Sequence, residues 1–129
     1  MRTIIAGSRS ITDYNETRKI LDIYNRHLPI TTVVSGCAAG VDSLGERWAF
    51  ENDISIVRYP ADWASYQNRA GLVRNVQMAH NADALVAIWD GVSPGTRHMI
   101  KVARNLGLGV HIYAMPGTAY HALRHPVFK

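Results

Sequence analysis

The sequence has very little cysteine and no long apolar run. It contains one cysteine, Cys37, and no stretch of the roughly 18 apolar residues that a membrane-spanning helix needs. A single cysteine cannot form an internal disulfide bond, which removes the disulfide-stapled folds of small secreted proteins. The amino terminus leads straight into an apolar run, without the charged and apolar regions of a signal peptide. We therefore expect a cytoplasmic protein that has no membrane partner.

Clusters of metal ligands and clusters of charge are also scarce. The six histidines are scattered, and only His121 and His125 have the i, i+4 spacing of two ligands on one helix face. No acidic residue accompanies that pair, so we expect no metal site. The net charge of +4 comes from 14 basic and 10 acidic residues dispersed along the chain. Dispersed charge of this size is more typical of solvation than of a nucleic-acid surface.

The 129 residues that are present suit one domain, since 47% of them are hydrophobic and no segment is of low complexity. Apolar runs typical of buried strands alternate with segments of helical periodicity. The runs cover residues 2–6, 31–34, 54–59, 84–89 and 110–113, and helices are expected at about 13–27 and 70–80 and after positions 40 and 93. This alternation predicts an α/β fold with a parallel sheet of about five strands and helices on both faces. Residues 114–129 lack a period and are expected to be an irregular tail of the single domain 1–129.

Three of the apolar runs end in turns of small residues. The turns contain Gly7, Ser8 and Arg9, then Ser35, Gly36, Gly40 and Asp42, and finally Asp90, Gly91, Ser93, Gly95 and Thr96. Small residues let a ligand approach the main chain, and the helix that follows directs unpaired N–H groups toward an anion. Parallel strands would bring all three turns to one edge of the sheet, where ligands bind. The turns together predict a phosphate site for a nucleotide-type ligand, although each alone is also compatible with an ordinary helix start.

Arginine, aromatic and acidic residues near the turns complete the predicted site. Arg9 can hold a phosphate through two hydrogen bonds. Arg74, which Asn75 follows, can hold a phosphate or a ribose, and it is also compatible with an ordinary surface arginine. Trp63 or Tyr66 can stack on a base, an interaction worth on the order of 1 to 3 kcal/mol. Asp42 either caps the helix that it begins or accepts hydrogen bonds from ribose hydroxyls. This interpretation requires no cofactor beyond the nucleotide-type ligand.

Five ordered motifs resemble the YspA-type, YpsA-related branch of the SLOG superfamily. They are Ala6-Gly7-Ser8-Arg9, Ser35-Gly36-x-Ala38-x-Gly40-Val41-Asp42, Pro60-Ala61-Asp62-Trp63, Arg74-Asn75-x-x-Met78-Ala79, and Trp89-Asp90-Gly91-x-Ser93-x-Gly95-Thr96-x-x-Met99-Ile100. The resemblance covers about residues 3–113. It implies a Rossmann-like three-layer sandwich that binds NAD, ADP-ribose or a nucleoside phosphate in a sensing or sequestering role. Such proteins are frequently homodimers.

The resemblance also leaves an enzymatic alternative open. The LONELY GUY phosphoribohydrolases of the same superfamily carry an Arg in an R-K-x-x-M stretch, which Arg74 and Met78 match. Arg74 is therefore the catalytic candidate if the chain hydrolyses an N-glycosidic bond. Met99 stands where those enzymes have a Glu, and a thioether cannot transfer a proton as a carboxylate does. The carboxylates that could replace this Glu are Asp42, Glu46 and Asp90.

A third, less favoured alternative is the binding of single-stranded DNA. The segment from Ser35 to Asp42 resembles the S-G-x-A-x-G-I-D segment of DNA-processing protein A, and the chain carries an excess of positive charge. Phosphate contacts alone would give binding that weakens steeply with salt. Only the aromatic residues between positions 60 and 69 point to base stacking, so nucleic acid ranks below a small nucleotide as the expected partner.

Overall fold

A computed structural model of the protein describes residues 1–115, in which the central element is a parallel sheet. Its strands are β1 (Arg2–Gly7), β2 (Thr32–Ser35), β3 (Ser55–Arg58), β4 (Ala84–Trp89) and β5 (Gly109–Ala114). They lie in the order β3-β2-β1-β4-β5, and every neighbouring pair is parallel. The predicted α/β, Rossmann-like fold is confirmed. Because the strand order reverses between β1 and β4, a ligand site is expected at the carboxyl ends of these two strands.

The helices are α1 (Tyr14–His27), α2 (Val41–Glu51), α3 (Trp63–Tyr66), α4 (Ala70–His80) and α5 (Pro94–Asn105). The Asp13 carboxylate caps α1 by accepting a hydrogen bond of 3.1 Å from the Glu16 main-chain N–H. The sequence predicts a loop from 60 to about 69, whereas the structure forms α3 there and then a 3-10 turn over Gln67–Arg69. The Asp62 carboxylate stabilises α3 because it accepts a 3.1 Å hydrogen bond from the Ser65 main-chain N–H.

The sheet is covered on both faces, which gives the three layers that the resemblance implies. On one face, Leu21 of α1 and Trp48 of α2 pack against a core that includes Ile5 of β1. On the other face, Met78 of α4 and Met99 of α5 pack against a core that includes Leu85 of β4, among others. Burial on both faces explains why the strands appear in the sequence as continuous apolar runs.

The last strand extends one residue beyond its expected position. β5 includes Ala114, which the sequence pattern assigns to the tail, and Met115 is buried in the core beside α1 and α2. The rest of the predicted tail and the pair His121 and His125 lie outside the described residues. Within residues 1–115, no helix has the length and hydropathy needed to cross a membrane. The same residues contain no group of three His, Cys, Asp or Glu side chains that could hold a metal ion.

Candidate functional site

A cleft of about 500 Å³ opens where the strand order reverses, beyond the carboxyl ends of β1 and β4. The turns after β1, β2 and β4 contribute to its walls, together with α3 and the first turns of α4 and α5. The predicted site residues that line it are Gly7, Arg9, Asp42, Trp63, Arg74, Asn75, Ser93, Gly95 and Thr96. The structure therefore brings together residues from three separate glycine turns and from the predicted aromatic segment.

The other predicted site residues support the cleft from outside its lining. These residues are Ser8, Ser35, Gly36, Gly40, Asp90 and Gly91. Ser8 is fully buried, and its Oγ accepts a hydrogen bond of 2.9 Å from the main-chain N–H of Asp90. The Asp90 carboxylate accepts hydrogen bonds from the main-chain N–H groups of Val92 and Ser93 at 2.9 and 2.8 Å. Ser8 and Asp90 thus hold the first and third turns together.

Two glycines allow the turns to approach one another. A Cβ atom on Gly7 would lie 2.0 Å from the carbonyl oxygen of Ile88, so only glycine fits at the end of β1. Gly40 begins α2 with a φ of +76°, and a Cβ atom there would lie 2.4 Å from the carbonyl oxygen of Ser8. Such contacts are closer than a side chain permits. These glycines bring the first turn against the second and against β4.

Ser35 and Glu46 form a separate network behind the second turn. The Ser35 hydroxyl lies 2.6 Å from Oε2 of Glu46, and it accepts a hydrogen bond of 3.2 Å from the main-chain N–H of Cys37. The other Glu46 carboxylate oxygen pairs with Nε of Arg58 at 2.8 Å. Because these partners engage both Glu46 oxygens and Glu46 does not line the cleft, Ser35 and Glu46 stabilise the turn after β2.

Asp42 is the acidic residue of the cleft lining. Its side chain is nine-tenths buried in the first turn of α2, and Oδ2 accepts a hydrogen bond of 3.2 Å from the main-chain N–H of Ala38. Burial raises the pKa of the Asp42 carboxyl to about 6, although the Ala38 hydrogen bond and the positive charge of Arg74 oppose this change. A buried carboxylate with this pKa is ionised at neutral pH and can accept hydrogen bonds from a ligand.

Arg74 holds the second turn and also faces the cleft. Its Nη1 donates a hydrogen bond to the carbonyl oxygen of Gly36, and its Nε donates to Oδ1 of Asn75 at 3.1 Å. Within residues 1–115, Nη2 has no hydrogen-bond partner. A Cβ atom on Gly36 would lie 2.8 Å from Nη1 of Arg74 and 2.9 Å from Oδ2 of Asp42. Because Gly36 has no side chain, the Arg74 guanidinium and the Asp42 carboxylate can both lie close to it.

The amino-terminal end of α5 presents unpaired donors to the cleft. Ser93 caps this helix, but its hydroxyl donates to the Asp90 carboxylate at 2.8 Å and makes no capping hydrogen bond to the helix, and Pro94 at the first position has no N–H group. The main-chain N–H groups of Gly95 and Thr96 have no partner among the described residues, nor has the Thr96 hydroxyl, although Thr96 is only 6% exposed. Asn75 braces this end, since its Nδ2 donates a 3.3 Å hydrogen bond to the Gly95 carbonyl oxygen.

Exposed cationic and aromatic side chains form the rim of the cleft. Arg9 lines it and makes no hydrogen bond or ion pair within residues 1–115. Trp63 also lines it and is 55% exposed, whereas Tyr66 is exposed but is not part of the lining. Asn68 and Leu72 line the same rim, and the sequence patterns did not single them out as ligand contacts. Asn68 belongs to the same polar and aromatic segment as Trp63, and this is the signal that could have found it.

Comparison with known proteins agrees with this fold and these motifs. A model of the "YspA, cpYpsA-related SLOG family" matches residues 1–66. The Gene 61 protein of Mycobacterium phage D29 is 33% identical over 116 residues, which cover 84% of this chain and 93% of that protein. The family model extends over the turns after β1 and β2, so it covers the part of the cleft that contains Asp42.

A solved structure has the same fold. The X-ray structure of DNA processing protein A (DprA) from Streptococcus pneumoniae superposes with a TM-score of 0.67 at 18% sequence identity. The match covers 98% of this chain but 55% of that one, so the chain spans little more than half the length of DprA. At this identity the match shows a common fold. The family model, which matches more than half of the chain, and the phage relative show the family: the chain belongs to the YspA, cpYpsA-related SLOG family.

Proposed function

We propose that the cleft binds a nucleotide or a nucleotide-derived ligand, such as a nucleoside phosphate, ADP-ribose or NAD, for sensing or sequestration. The observation that carries this proposal is the set of unpaired donors at the start of α5. The main-chain N–H groups of Gly95 and Thr96, and the Thr96 hydroxyl, have no hydrogen-bond partner among residues 1–115. A phosphate group would satisfy these donors and would lie at the positive end of the helix dipole.

The remaining lining residues suit the other parts of a nucleotide. Arg9, which has no partner within the described residues, supplies a mobile cation for the phosphate. Asp42 supplies a buried carboxylate that can accept hydrogen bonds from two ribose hydroxyls. The positive charge of the neighbouring Arg74 favours the ionised form of this carboxylate. Trp63 supplies an exposed aromatic face for the base. The cleft volume of about 500 Å³ is within the range of small-molecule sites.

Titration calorimetry at low salt tests this proposal with AMP, GMP, ADP-ribose and NAD. At least one of these ligands should bind, and the matching nucleoside without phosphate should bind about 100-fold more weakly, since charge-assisted hydrogen bonds contribute roughly 1.5–3 kcal/mol each. Arg9→Ala should weaken binding by about 10- to 100-fold by the same reasoning. Arg26→Ala is the matched control, because Arg26 is an exposed cation at the end of α1, away from the cleft. The proposal fails if no ligand binds or if both variants bind alike.

A second candidate function is hydrolysis of the N-glycosidic bond of a nucleoside monophosphate. The observation that favours it is that the Asp42 carboxylate and the Arg74 guanidinium both line the cleft and both lie close to Gly36. Burial raises the pKa of Asp42 to about 6, which suits a group that exchanges a proton near neutral pH. Met99 lines the cleft but has no proton to exchange, so Asp42 is the carboxylate on which hydrolysis would depend.

The test for hydrolysis is the release of free base and ribose 5-phosphate from nucleoside monophosphates. Water is the second substrate, so no cofactor is needed. Chromatographic detection of base, lost in both Asp42→Asn and Arg74→Ala, would establish an enzyme. If the wild-type protein binds a nucleotide tightly and releases no base during a long incubation, the cleft binds without turnover.

A further inference from the structure

A second concave surface lies on the other side of α5, and all of its charged side chains are basic. This basic groove has a volume of about 320 Å³ and is lined by Arg97, Lys101 and Arg104 of α5 with Trp89 of β4 and Ile112 of β5, among others. The cleft described above is lined instead by α4 and the turn after β1, together with the first turn of α5. The two sites share α5 but open on different sides of it.

The three cations of the basic groove are exposed and not neutralised. None of them forms an ion pair with an acidic group of residues 1–115. The sequence explains this, because all 10 acidic residues precede position 91, whereas α5 and β5 contain none. The prediction that positive charge is dispersed is therefore wrong for this part of the chain. Positions 97, 101 and 104 are spaced by four and three residues, which places them on one helix face.

The groove combines these cations with flat and apolar groups. The Arg97 guanidinium lies over the Trp89 ring, 5.7 Å from its centroid, and Ile100 and Ile112 add apolar surface beneath. A helix rises 1.5 Å per residue, so positions 97 and 104 are about 10 Å apart along the axis of α5. One phosphate cannot neutralise cations spread over that length, whereas consecutive phosphates of a strand can. Guanidinium planes and aromatic rings also offer faces on which bases stack.

We propose that the basic groove binds a single-stranded nucleic acid, with its phosphates on Arg97, Lys101 and Arg104 and a base stacked on the Arg97 guanidinium, which itself lies over the Trp89 ring. This proposal does not depend on nucleotide binding in the cleft. An acidic polypeptide is the competing occupant, and it would use the cations without the planar faces. For a single strand held at three phosphates, the logarithm of the binding constant falls with the logarithm of the salt concentration with a slope of about −2. This slope corresponds to roughly 20-fold weaker binding at 200 mM than at 50 mM salt.

Fluorescence anisotropy with a labelled 15-nucleotide oligo-dT tests the proposal on the full chain. Lys101→Glu, and separately Arg104→Glu, should weaken binding by tenfold or more and should make the salt slope shallower by about one contact, near 0.7. Lys19→Glu is the matched control. It changes the net charge by the same amount at an exposed position of α1, which lies on the opposite face of the sheet. The control should bind like the wild type, and neither α5 variant should change the affinity for a mononucleotide in the cleft.

Three results would overturn the proposal. The first is equal loss of oligonucleotide binding in Lys101→Glu and Lys19→Glu, which would mean that net charge alone attracts the strand. The second is competition by poly-glutamate at the same charge concentration as effectively as by unlabelled oligo-dT, which would assign the groove to an acidic polypeptide. The third is the absence of binding at 50 mM salt by wild-type protein.

Discussion

The buried carboxyl group of Asp42 should make the free energy of unfolding depend on pH, and this dependence tests the position of Asp42 in the cleft. Burial raises the pKa of its carboxyl from 3.8 to about 6 in the folded protein. Between these values the folded protein keeps a proton that the unfolded chain has released, so stability falls as the pH rises toward 6. A difference of about two pH units corresponds to roughly 3 kcal/mol, since each unit is worth about 1.4 kcal/mol. At neutral pH the ionised Asp42 therefore destabilises the fold.

Replacing Asp42 by Asn removes the titrating group and retains an oxygen that can accept the hydrogen bond from Ala38. We expect Asp42→Asn to be more stable than the wild type by about 2–3 kcal/mol at pH 7.5 and nearly equal to it at pH 4. The difference should develop between pH 4 and about 6. The same variant should bind a ribonucleotide less well, because it loses the negative charge that we propose accepts hydrogen bonds from the ribose hydroxyls.

Urea denaturation followed by circular dichroism across pH 4–8 measures this difference. The control is Asp53→Asn, since Asp53 is exposed and its φ of +55° is tolerated by Asn. This control should follow the wild-type pH profile. The reasoning is refuted if Asp42→Asn is less stable than the wild type at pH 7.5, or if its stability falls with pH as steeply as that of the wild type.

Four further predictions concern the turns and the residue that braces one of them. Gly7→Ala should destabilise the fold by about 3 kcal/mol or more in urea denaturation, because its Cβ atom would lie 2.0 Å from a carbonyl oxygen. Gly95→Ala, where a Cβ atom meets nothing within 4 Å, should change stability by less than about 1 kcal/mol. Ser8→Ala should cost about 1–3 kcal/mol, since it leaves the buried main-chain N–H of Asp90 without its acceptor. Asn75→Ala should weaken nucleotide binding about five- to tenfold by calorimetry, because it removes the brace on the start of α5, and unchanged affinity would show that the brace is irrelevant.

The sequence predicted the fold because the fold depends on local patterns. Strands covered on both faces appear as continuous apolar runs, as in β4, and the Asp13 cap marks the start of α1. The glycine turns were recognisable for the same reason, since Gly7 and Gly40 are needed wherever the main chain comes close to other atoms. These local signals were sufficient to place three turns at one edge of the sheet.

The roles of individual polar residues could not be predicted in the same way. Ser35 and Asp90 lie in the correct turns, but their side chains are engaged by Glu46 and by the turn before α5. Partners that are distant in the sequence decide such roles, as in the hydrogen bond between Asp90 and Ser8, which are 82 residues apart. Dimer formation and a cytoplasmic location remain predictions of the sequence.

The basic groove shows a different reason for a missed feature. Arg97, Lys101 and Arg104 have visible helical spacing, but a count of charges over the whole chain averages them with the acidic residues of the first 90 positions. A count made separately for each helix face would have found them. Charge patterning is thus informative only after the secondary structure has been assigned.

The most direct test of the central claim is a crystal structure of the protein with bound ADP-ribose. We expect a phosphate within hydrogen-bond distance of the Gly95 and Thr96 main-chain N–H groups, with Arg9 turned toward it and a ribose against Asp42. A phosphate held elsewhere, or a cleft in which those two N–H groups face an apolar part of the ligand, would contradict this expectation.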